Sequence, residues 1–321
     1  MDKKSQSLSA GILFAIIVVI HISTGFIHFS EDMPTAESLI LSQALILLPI
    51  IIYYTIPMAY YATTKKKMVD ILRFRKVNIW SVFLIIPVVY CFYPLLICVN
   101  AFSMAFSTNV IANTMTDITS QYPYIVSLLL MAFMPAVVEE LTFRGVLMGS
   151  FHRDSNPWPA IIFSAICFGA MHMNFNQMAY AFVLGICMGL VIEASGSILS
   201  SMLVHFLYNG TSVTLMYLMS RFTGSMPDTS SVSSGQMLMT AGIMLPFALV
   251  GVALAGLLLY VIARLNKRDL IFLGMFKKKT KEQKLAMAAD KVTIMTPPVW
   301  VGLILCVGYA VFTEIVIRKM G

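Results

Sequence analysis

The chain carries little charge and has few of the features of a soluble protein. Asp, Glu, Lys and Arg make up only 12% of its residues, whereas apolar residues make up 59% and the mean hydropathy is +0.84. Ordinary soluble domains contain about 25% charged and about 45–50% apolar residues. The apolar excess lies in runs of about 20 residues, the length that crosses a bilayer as a helix. The composition excludes a soluble domain and predicts an all-α, polytopic transmembrane helical bundle.

Disulfide and zinc motifs are also missing. The five cysteines lie in or at the ends of apolar runs, and no CxxC pair is present, so they are predicted to be buried apolar residues. The zincin motif HExxH does not occur, and a zinc site would have to be assembled from separate helices. No repeat of fixed period is visible. Gly185 and Gly189 form a small-xxx-small pattern that is predicted only to pack helices.

About eight or nine spans are predicted. They are residues 10–29, 39–62, 79–102, 124–151, 160–173, 178–193, 198–219, 237–265 and 299–316. The first lacks a small-residue cleavage site and is interpreted as an uncleaved helix. Residues 65–76 mix Lys and Arg with apolar residues, which predicts an amphipathic helix on the membrane surface. We divide the chain into N-terminal helices (1–123), a core (124–219) and C-terminal helices with a basic segment (220–321).

The positive charges predict an orientation. If the N-terminus is cytoplasmic, 18 of the 22 Lys and Arg residues lie on the cytoplasmic side of a multi-pass cell-membrane protein. The net charge of +7 then reflects orientation and contact with anionic lipid, and we expect no nucleic-acid partner. Arg318 and Lys319 do not fit, because the nine-span arrangement places them outside. Either the last helix is re-entrant or an earlier boundary is misplaced.

Three charges occur together within the fourth span: Glu139, Glu140 and Arg144. An ionisable group in hydrocarbon costs at least a few kcal/mol, so such groups usually face a protein interior or a wet cavity. Glu140 and Arg144 are four residues apart and are predicted to pair on one helix face. Glu139 points about 100° away from Glu140. We therefore predict that Glu140 is neutralised locally and that Glu139 is left for chemistry.

Other intramembrane polar residues have the spacing of a site. His172 ends the fifth span, and His205 and Asn209 lie four residues apart in the seventh. Helical rise places Glu139, His172 and His205 between the middle and the inner half of the bilayer, close enough to meet.

Several further polar residues are predicted to be structural or solvated. His21 and His28 have no partner at a useful spacing. His152 is expected to be solvated in a loop, and Glu193 to be hydrated at a helix end. Glu314 precedes Arg318 by four residues and is predicted to pair with it.

The chemistry that the candidate site predicts is hydrolysis. A carboxylate outside an ion pair can take a proton from water, and a histidine beside it can share that water. A second histidine and an asparagine can donate hydrogen bonds to an oxyanion as a peptide carbonyl is attacked. The set Glu139, His172 and His205 could equally bind zinc with one open position. The residues alone leave both mechanisms open.

These motifs, in this order, resemble those of the CPBP family, which comprises CAAX proteases and bacteriocin-processing enzymes and is also called the Abi family. The resemblance covers about residues 124–219. The matching residues are Glu139-Glu140-x-x-x-Arg144, Phe168-x-x-x-His172 and His205-x-x-x-Asn209.

The resemblance implies an intramembrane endopeptidase whose site opens toward the cytoplasm. Glu139 and His172 would activate water, and His205 with Asn209 would form the oxyanion site. The remaining motif residues would support them: Glu140, Arg144 and Phe168. Both a metalloprotease and a glutamate-dependent mechanism without catalytic metal are associated with the family, so zinc is an open expectation.

The expected partners are the lipid bilayer and a membrane-associated peptide or protein substrate. The family implies either a prenylated substrate or a peptide precursor. Two other functions fit the same residues. A non-catalytic scaffold or bacteriocin-immunity protein would keep the pocket without needing Glu139. A proton-coupled transporter would use the buried charges as a relay, but no internal symmetry supports it.

Overall fold

Helices form the regular structure of the described part of the chain. The computed structural model describes residues 3–31, 35–64, 72–108, 111–152, 156–223, 232–282, 284–285 and 293–320, and no strand occurs in these ranges. In chain order the helices are α1 (Lys3–Glu31), α2 (Thr35–Thr64), α3 (Ile79–Met104), α4 (Ile111–Gln121), α5 (Tyr124–Phe151), α6 (Trp158–Met171), α7 (Phe175–Ser195), α8 (Ile198–Thr223), α9 (Ser234–Leu265), α10 (Asp269–Gly274) and α11 (Pro297–Met320).

Six of the described helices are long and apolar enough to cross a membrane: α1, α3, α5, α7, α9 and α11. The described apolar part of α2, Ala36–Ile52, and helix α6 are shorter. Helix α8 has 26 residues, as many as α3, but it carries polar side chains along its length. These helices confirm a polytopic, multi-pass helical bundle. Helix α4 lies in a polar segment for which no helix was predicted.

Large apolar side chains cover the outer surface of the bundle. On α9, Met239 and Leu249 are each 67% exposed and Leu257 is 65% exposed, and Ile304 of α11 is 65% exposed. A soluble monomer rarely presents so much contiguous apolar surface. In a bilayer the same side chains contact lipid at no cost.

A buried ion cluster marks one end of the bundle, which we call the basic end. Glu193 lies at the end of α7, and its carboxylate is 2.8 Å from Arg73 Nη1, 3.3 Å from Arg268 Nη2 and 3.0 Å from His152 Nε2. The cluster brings three chain segments to one end, as the charge distribution predicted. Two expectations were wrong. Glu193 is 0% exposed and not hydrated, and the His152 side chain is 10% exposed and not solvated.

The predicted surface helix over residues 65–76 is absent from residues 72–76, the part of it that the structure describes. Residues 65–71 lie outside the described residues, and 72–78 form no helix. Arg73 has a φ of 53°, its carbonyl accepts from the amide of Ile198 at 3.1 Å, and the Arg75 carbonyl accepts from Ser197 Oγ at 2.6 Å. The turn between α7 and α8 therefore binds this segment through its backbone, which competes with a continuous helix.

A second polar cluster marks the opposite end, which we call the far end. Asn174 Nδ2 donates to the Thr108 carbonyl at 3.2 Å, and the Thr108 hydroxyl donates to Glu314 at 3.4 Å. Arg318 Nε lies 2.8 Å from Glu314 Oε1, and Arg318 Nη2 donates to the Phe106 carbonyl at 2.9 Å. The predicted pairing of Glu314 with Arg318 is confirmed. These contacts neutralise the charge of Arg318 and satisfy its hydrogen bonds. They explain why this arginine can lie at the end of the bundle opposite the basic end.

Glycines let α6 and α7 approach closely. A Cβ added at Gly185 would lie 2.8 Å from Ala165 Cβ, and one at Gly189 would lie 2.7 Å from Ile161 Cγ2. Real Cβ atoms essentially never approach so closely. The prediction that Gly185 and Gly189 pack helices is confirmed, and this packing holds α6 against α7 beside the candidate site.

Candidate active site

Helix α5, which carries the two glutamates, is irregular where it passes the site. Pro135 cannot donate a backbone hydrogen bond, and its ring crowds the carbonyl four residues earlier. The residues just before it, Leu129–Phe133, form a π-helical turn that accommodates this crowding. The glutamates follow within the next α-helical turns, Met134–Glu140.

A second π-helical segment, Leu141–Met148, follows the glutamates. Its wider turns disturb the usual i→i−4 hydrogen bonds, and two side-chain hydroxyls donate to backbone carbonyls in this region. Thr142 Oγ1 donates to the Val138 carbonyl at 2.8 Å, and Ser164 Oγ of α6 donates to the Phe143 carbonyl at 2.7 Å. Satisfying such groups internally is required where no water reaches them. The irregular turn is thereby fixed against α6.

Glu140 is fully engaged in a buried network. Its carboxylate is 0% exposed, and its Oε1 lies 2.8 Å from Arg144 Nη1 and 3.1 Å from His205 Nδ1. Ser201 Oγ of α8 donates to the other oxygen, Oε2. The predicted pair of Glu140 with Arg144 is confirmed. Three partners on two helices leave this carboxylate no room to take part in chemistry.

Phe168 packs at the centre of the motif residues. The guanidinium carbon of Arg144 lies 4.3 Å from the centre of its ring. The ring packs edge-to-face on His172 and on His205, with centroids 5.0 and 5.7 Å apart. Phe168 therefore holds both imidazoles in place and gives Arg144 a cation–π contact in addition to its ion pair.

Glu139 faces open space instead. Its side chain is 25% exposed, and its nearest recorded ionic partner is His205 Nε2 at 3.8 Å. The two neighbouring glutamates thus have different surroundings, as their angular offset predicted. Glu139 is the carboxylate that can meet water or a substrate.

His172 is oriented by its own helix. It follows the last residue of α6, and its Nδ1 lies 2.9 Å from the Phe168 carbonyl. A carbonyl oxygen only accepts, so Nδ1 carries the proton and Nε2 of the neutral ring is free to accept. Helix α6 has 14 residues and is about 21 Å long, shorter than a bilayer core of about 30 Å. His172 consequently sits within the bundle.

His205 links the two glutamates. Its Nδ1 lies 3.1 Å from Glu140 Oε1, and a carboxylate accepts, so this nitrogen carries a proton. Its Nε2 is directed to Glu139. That nitrogen accepts in the neutral ring and donates in the imidazolium. Asn209, four residues along α8, lines the same space and offers an amide donor.

One cavity of about 490 Å³ brings these residues together. Glu139, His172, His205 and Asn209 all line it, and the depth estimate had predicted that the first three could meet. The predicted core, residues 124–219, does not form the whole wall. Helices outside the core complete the wall with the following residues: Ile17, His21, Leu39, Gln43, Ile46, Asn100, Thr114 and Met115.

The cavity extends toward the far end of the bundle. His205 lies seven residues into α8, about 10 Å from the basic end, whereas Met216 on the same cavity wall lies about 27 Å from it. Thr114 and Met115 of α4, at the far end, also line the cavity. The cavity therefore extends well beyond the level of His205 in the bundle. The rise estimate did not predict this extent, because it placed single residues and not the space between them.

Zinc does not fit the described side chains as they stand. Among the described residues, no three His, Cys, Asp or Glu side chains are grouped so that they could hold a metal ion. Glu139, His172 and His205 share a cavity without forming a ligand set.

A comparison with protein families finds a match within the core. Residues 121–211 match the family model described as type II CAAX prenyl endopeptidase Rce1-like. Over these residues the chain is similar to Rce1-like endopeptidases. The match confirms the CPBP resemblance over these residues and supports a hydrolase of the CAAX-protease type. No curated protein and no solved structure matches the chain. The Rce1-like segment contains all seven motif residues but none of α1 and α2.

Sequence reasoning missed several residues of the site. Ser201 binds Glu140, while His21 and Gln43 line the cavity. His21 was predicted to be structural because no residue of its own helix partners it, and only the packing of α1 against the core reveals its position. The side chain of His28 lies outside those that the structure describes.

Proposed function

We propose that the chain is an intramembrane endopeptidase that hydrolyses a peptide bond in a membrane-associated substrate. One observation carries the proposal. Glu139 is a partly exposed carboxylate in a cavity of about 490 Å³ shared with His172 and His205, whereas its neighbour Glu140 is fully engaged. A protein that only bound a peptide would have no need for one free carboxylate beside two oriented imidazoles.

In the proposed first step, Glu139 accepts a proton from a water molecule while the water oxygen attacks the peptide carbonyl carbon. His172 Nε2, the free nitrogen of its ring, accepts a hydrogen bond from the second O–H of the water, which keeps this hydrogen, and so orients the nucleophile. The carbonyl π electrons move to oxygen. The resulting oxyanion receives hydrogen bonds from Asn209 Nδ2 and from His205 Nε2 when that ring is protonated.

In the second step, the tetrahedral intermediate collapses and the C–N bond breaks. The carboxyl group of Glu139 returns its proton to the leaving amine nitrogen, so the base becomes the acid. The products are a carboxylic acid and an amine, and Glu139 is again a carboxylate. Every proton in this sequence comes from water.

The buried network around Glu140 supports these steps by orientation. Glu140 holds the proton of His205 on Nδ1, so that Nε2 faces Glu139. Arg144 neutralises the charge of Glu140. The ring of Phe168 packs edge-to-face against both imidazoles and restricts their orientation. Catalytic side chains stay within about 0.5 Å of their working positions only when neighbouring side chains support them in this way.

The substrate is proposed to be a prenylated protein or a peptide precursor that reaches the cavity from the bilayer. Lipid and this substrate are the proposed partners, and no nucleic acid is involved. The cavity walls carry Ile17, Leu39, Ile46 and Leu130, which suit an apolar chain beside the scissile bond.

The test is a cleavage assay on the full chain purified in detergent. Farnesylated peptides and bacteriocin-precursor peptides are each incubated with the protein, with and without a chelator, and the products are read by mass spectrometry. We expect defined cleavage that the chelator leaves unchanged, because the mechanism uses a carboxylate base. Loss of cleavage with chelator and its return with added zinc would contradict the metal-free mechanism. Absence of cleavage of every peptide would contradict the function.

We further propose that the N-terminus is cytoplasmic and that the cavity reaches the non-cytoplasmic side of the cell membrane. The charge distribution supports the first part, and the extension of the cavity toward Met115 supports the second. In intact cells, a membrane-impermeant maleimide should label Met115→Cys but not Lys277→Cys, which should react only after lysis. The unsubstituted chain gives the background from the five native cysteines. The reverse pattern would contradict this orientation and support a cytoplasmic opening.

A further inference from the structure

Two polar side chains of the N-terminal helices line the cavity, each with one buried atom that lacks a hydrogen-bond partner among the described residues. His21 is on α1 and Gln43 is on α2, and both lie outside the Rce1-like segment. His21 Nδ1 and Gln43 Oε1 are completely buried atoms, and neither has a hydrogen-bond partner among the described residues. A buried polar atom left unpaired costs about 1–3 kcal/mol, so native proteins rarely keep one without a reason.

The two residues are held in register by a buried contact between their helices. Thr24 Oγ1 donates to the backbone carbonyl of His21 at 2.9 Å and lies 3.5 Å from Ser42 Oγ, next to Gln43 in the chain. Both hydroxyls are buried. The pair therefore positions His21 and Gln43 at one level of the cavity wall. His21 and His172 line the same cavity, which places His21 on the wall that also carries the reacting groups.

We propose that His21 and Gln43 bind the backbone of an extended peptide and align it with Glu139. This inference rests on the proposed function and assigns part of its substrate site. An extended peptide brings unpaired N–H and C=O groups into an apolar cavity, where each needs a partner. Gln43 Oε1 is an acceptor and takes a peptide N–H. His21 Nδ1 donates to a peptide C=O or accepts from an N–H, according to its tautomer.

Binding of the peptide backbone explains why His21 and Gln43 are polar while the residues around them are apolar. Side-chain specificity could be met by the apolar residues around them, such as Ile17 and Leu39. Amide groups recur at every substrate residue, whatever its side chain. His21 and Gln43 are thus positioning residues: they contact the substrate away from the reacting atoms and fix which bond reaches Glu139.

The test measures binding separately from cleavage. Fluorescent farnesylated and bacteriocin-precursor peptides are titrated against the Glu139→Gln chain and against the same chain carrying His21→Phe or Gln43→Leu. We expect each added substitution to raise the dissociation constant about 5- to 30-fold, the effect of one lost hydrogen bond in a buried site. His21→Asn, which keeps a polar group near the Nδ1 position, should recover part of the loss. In the chain with Glu139 intact, KM should rise while kcat changes little.

A modified peptide tests the backbone contact itself. Replacing one amide near the scissile bond by an ester removes an N–H with little change in shape. If Gln43 accepts from that N–H, the ester weakens binding to the parent chain and not to Gln43→Leu, a coupling that a double-mutant cycle detects. Ser23→Ala is the matched control on α1, because its exposed hydroxyl bonds only to the Val19 carbonyl.

The outcomes separate this inference from the proposed function. Unchanged peptide binding in His21→Phe and Gln43→Leu, with cleavage intact in the chain that has Glu139, would overturn the inference alone. Failure of both peptides to bind the Glu139→Gln chain would also overturn it. Loss of binding in both variants, with no cleavage by any chain, would keep the peptide site and overturn the enzyme.

Discussion

Replacing Glu139 by Gln is expected to reduce kcat by about 10²- to 10⁴-fold, the contribution of a positioned general base. The substitution keeps the size of the side chain and removes only its ability to accept a proton from water. Because Glu139 is partly exposed and its nearest recorded ionic partner is 3.8 Å away, little stability depends on its charge. The apparent melting temperature in detergent should therefore stay close to that of the unsubstituted chain.

The neighbouring residue is the control for this experiment. Glu140→Gln weakens the contacts with Arg144, His205 and Ser201, so it should lower the melting temperature as well as the rate. We expect Glu139→Gln to lose rate without losing stability, and Glu140→Gln to lose both. This difference would distinguish a general base at Glu139 from a supporting residue at Glu140. Cleavage by Glu139→Gln at the rate of the unsubstituted chain would show that another group activates water.

Glu140→Ala is expected to lower the free energy of unfolding by about 3–5 kcal/mol, the cost of leaving a buried charge without its partner. The side chain of Arg144 is 1% exposed, and its Nη1 has Glu140 as its ionic partner. Its Nη2 already lacks a hydrogen-bond partner among the described residues. Without the carboxylate, the guanidinium would remain in an apolar interior. Denaturation in mixed micelles measures the effect.

Two further variants test whether the unpaired charge of Arg144 causes this loss of stability. Glu314→Ala removes a carboxylate from a pair whose Arg318 is 64% exposed, so it should cost about 1 kcal/mol or less. Adding Arg144→Met to Glu140→Ala removes the stranded charge and should restore much of the lost stability. If Glu140→Ala costs no more than Glu314→Ala, the buried pair does not have the energetic role assigned to it.

Local spacing predicted the parts of the site that depend on one helix. The pairing of Glu140 with Arg144, the different direction of Glu139, and the shared face of His205 and Asn209 all follow from the helical repeat. The bundle itself follows from the length of the apolar runs. Such features need no knowledge of how helices pack.

Features that depend on contacts between distant segments could not be predicted in this way. Glu193 looked like a hydrated helix end because Arg73, His152 and Arg268 reach it from three remote segments. His21 looked isolated because its surroundings come from other helices.

The full wall of the cavity could not be predicted for the same reason. Residues of α1 to α8 line it together, and no single helix determines its extent.

The most direct test of the account is hydrolysis in water enriched in oxygen-18. The purified chain and a peptide that it cleaves are incubated in this water, and the new C-terminal carboxyl group is analysed by mass spectrometry. The account predicts one heavy oxygen in that carboxyl group for the unsubstituted chain, and no product for Glu139→Gln. Product formed equally by both chains, or product without the heavy oxygen, would contradict attack by water activated at Glu139.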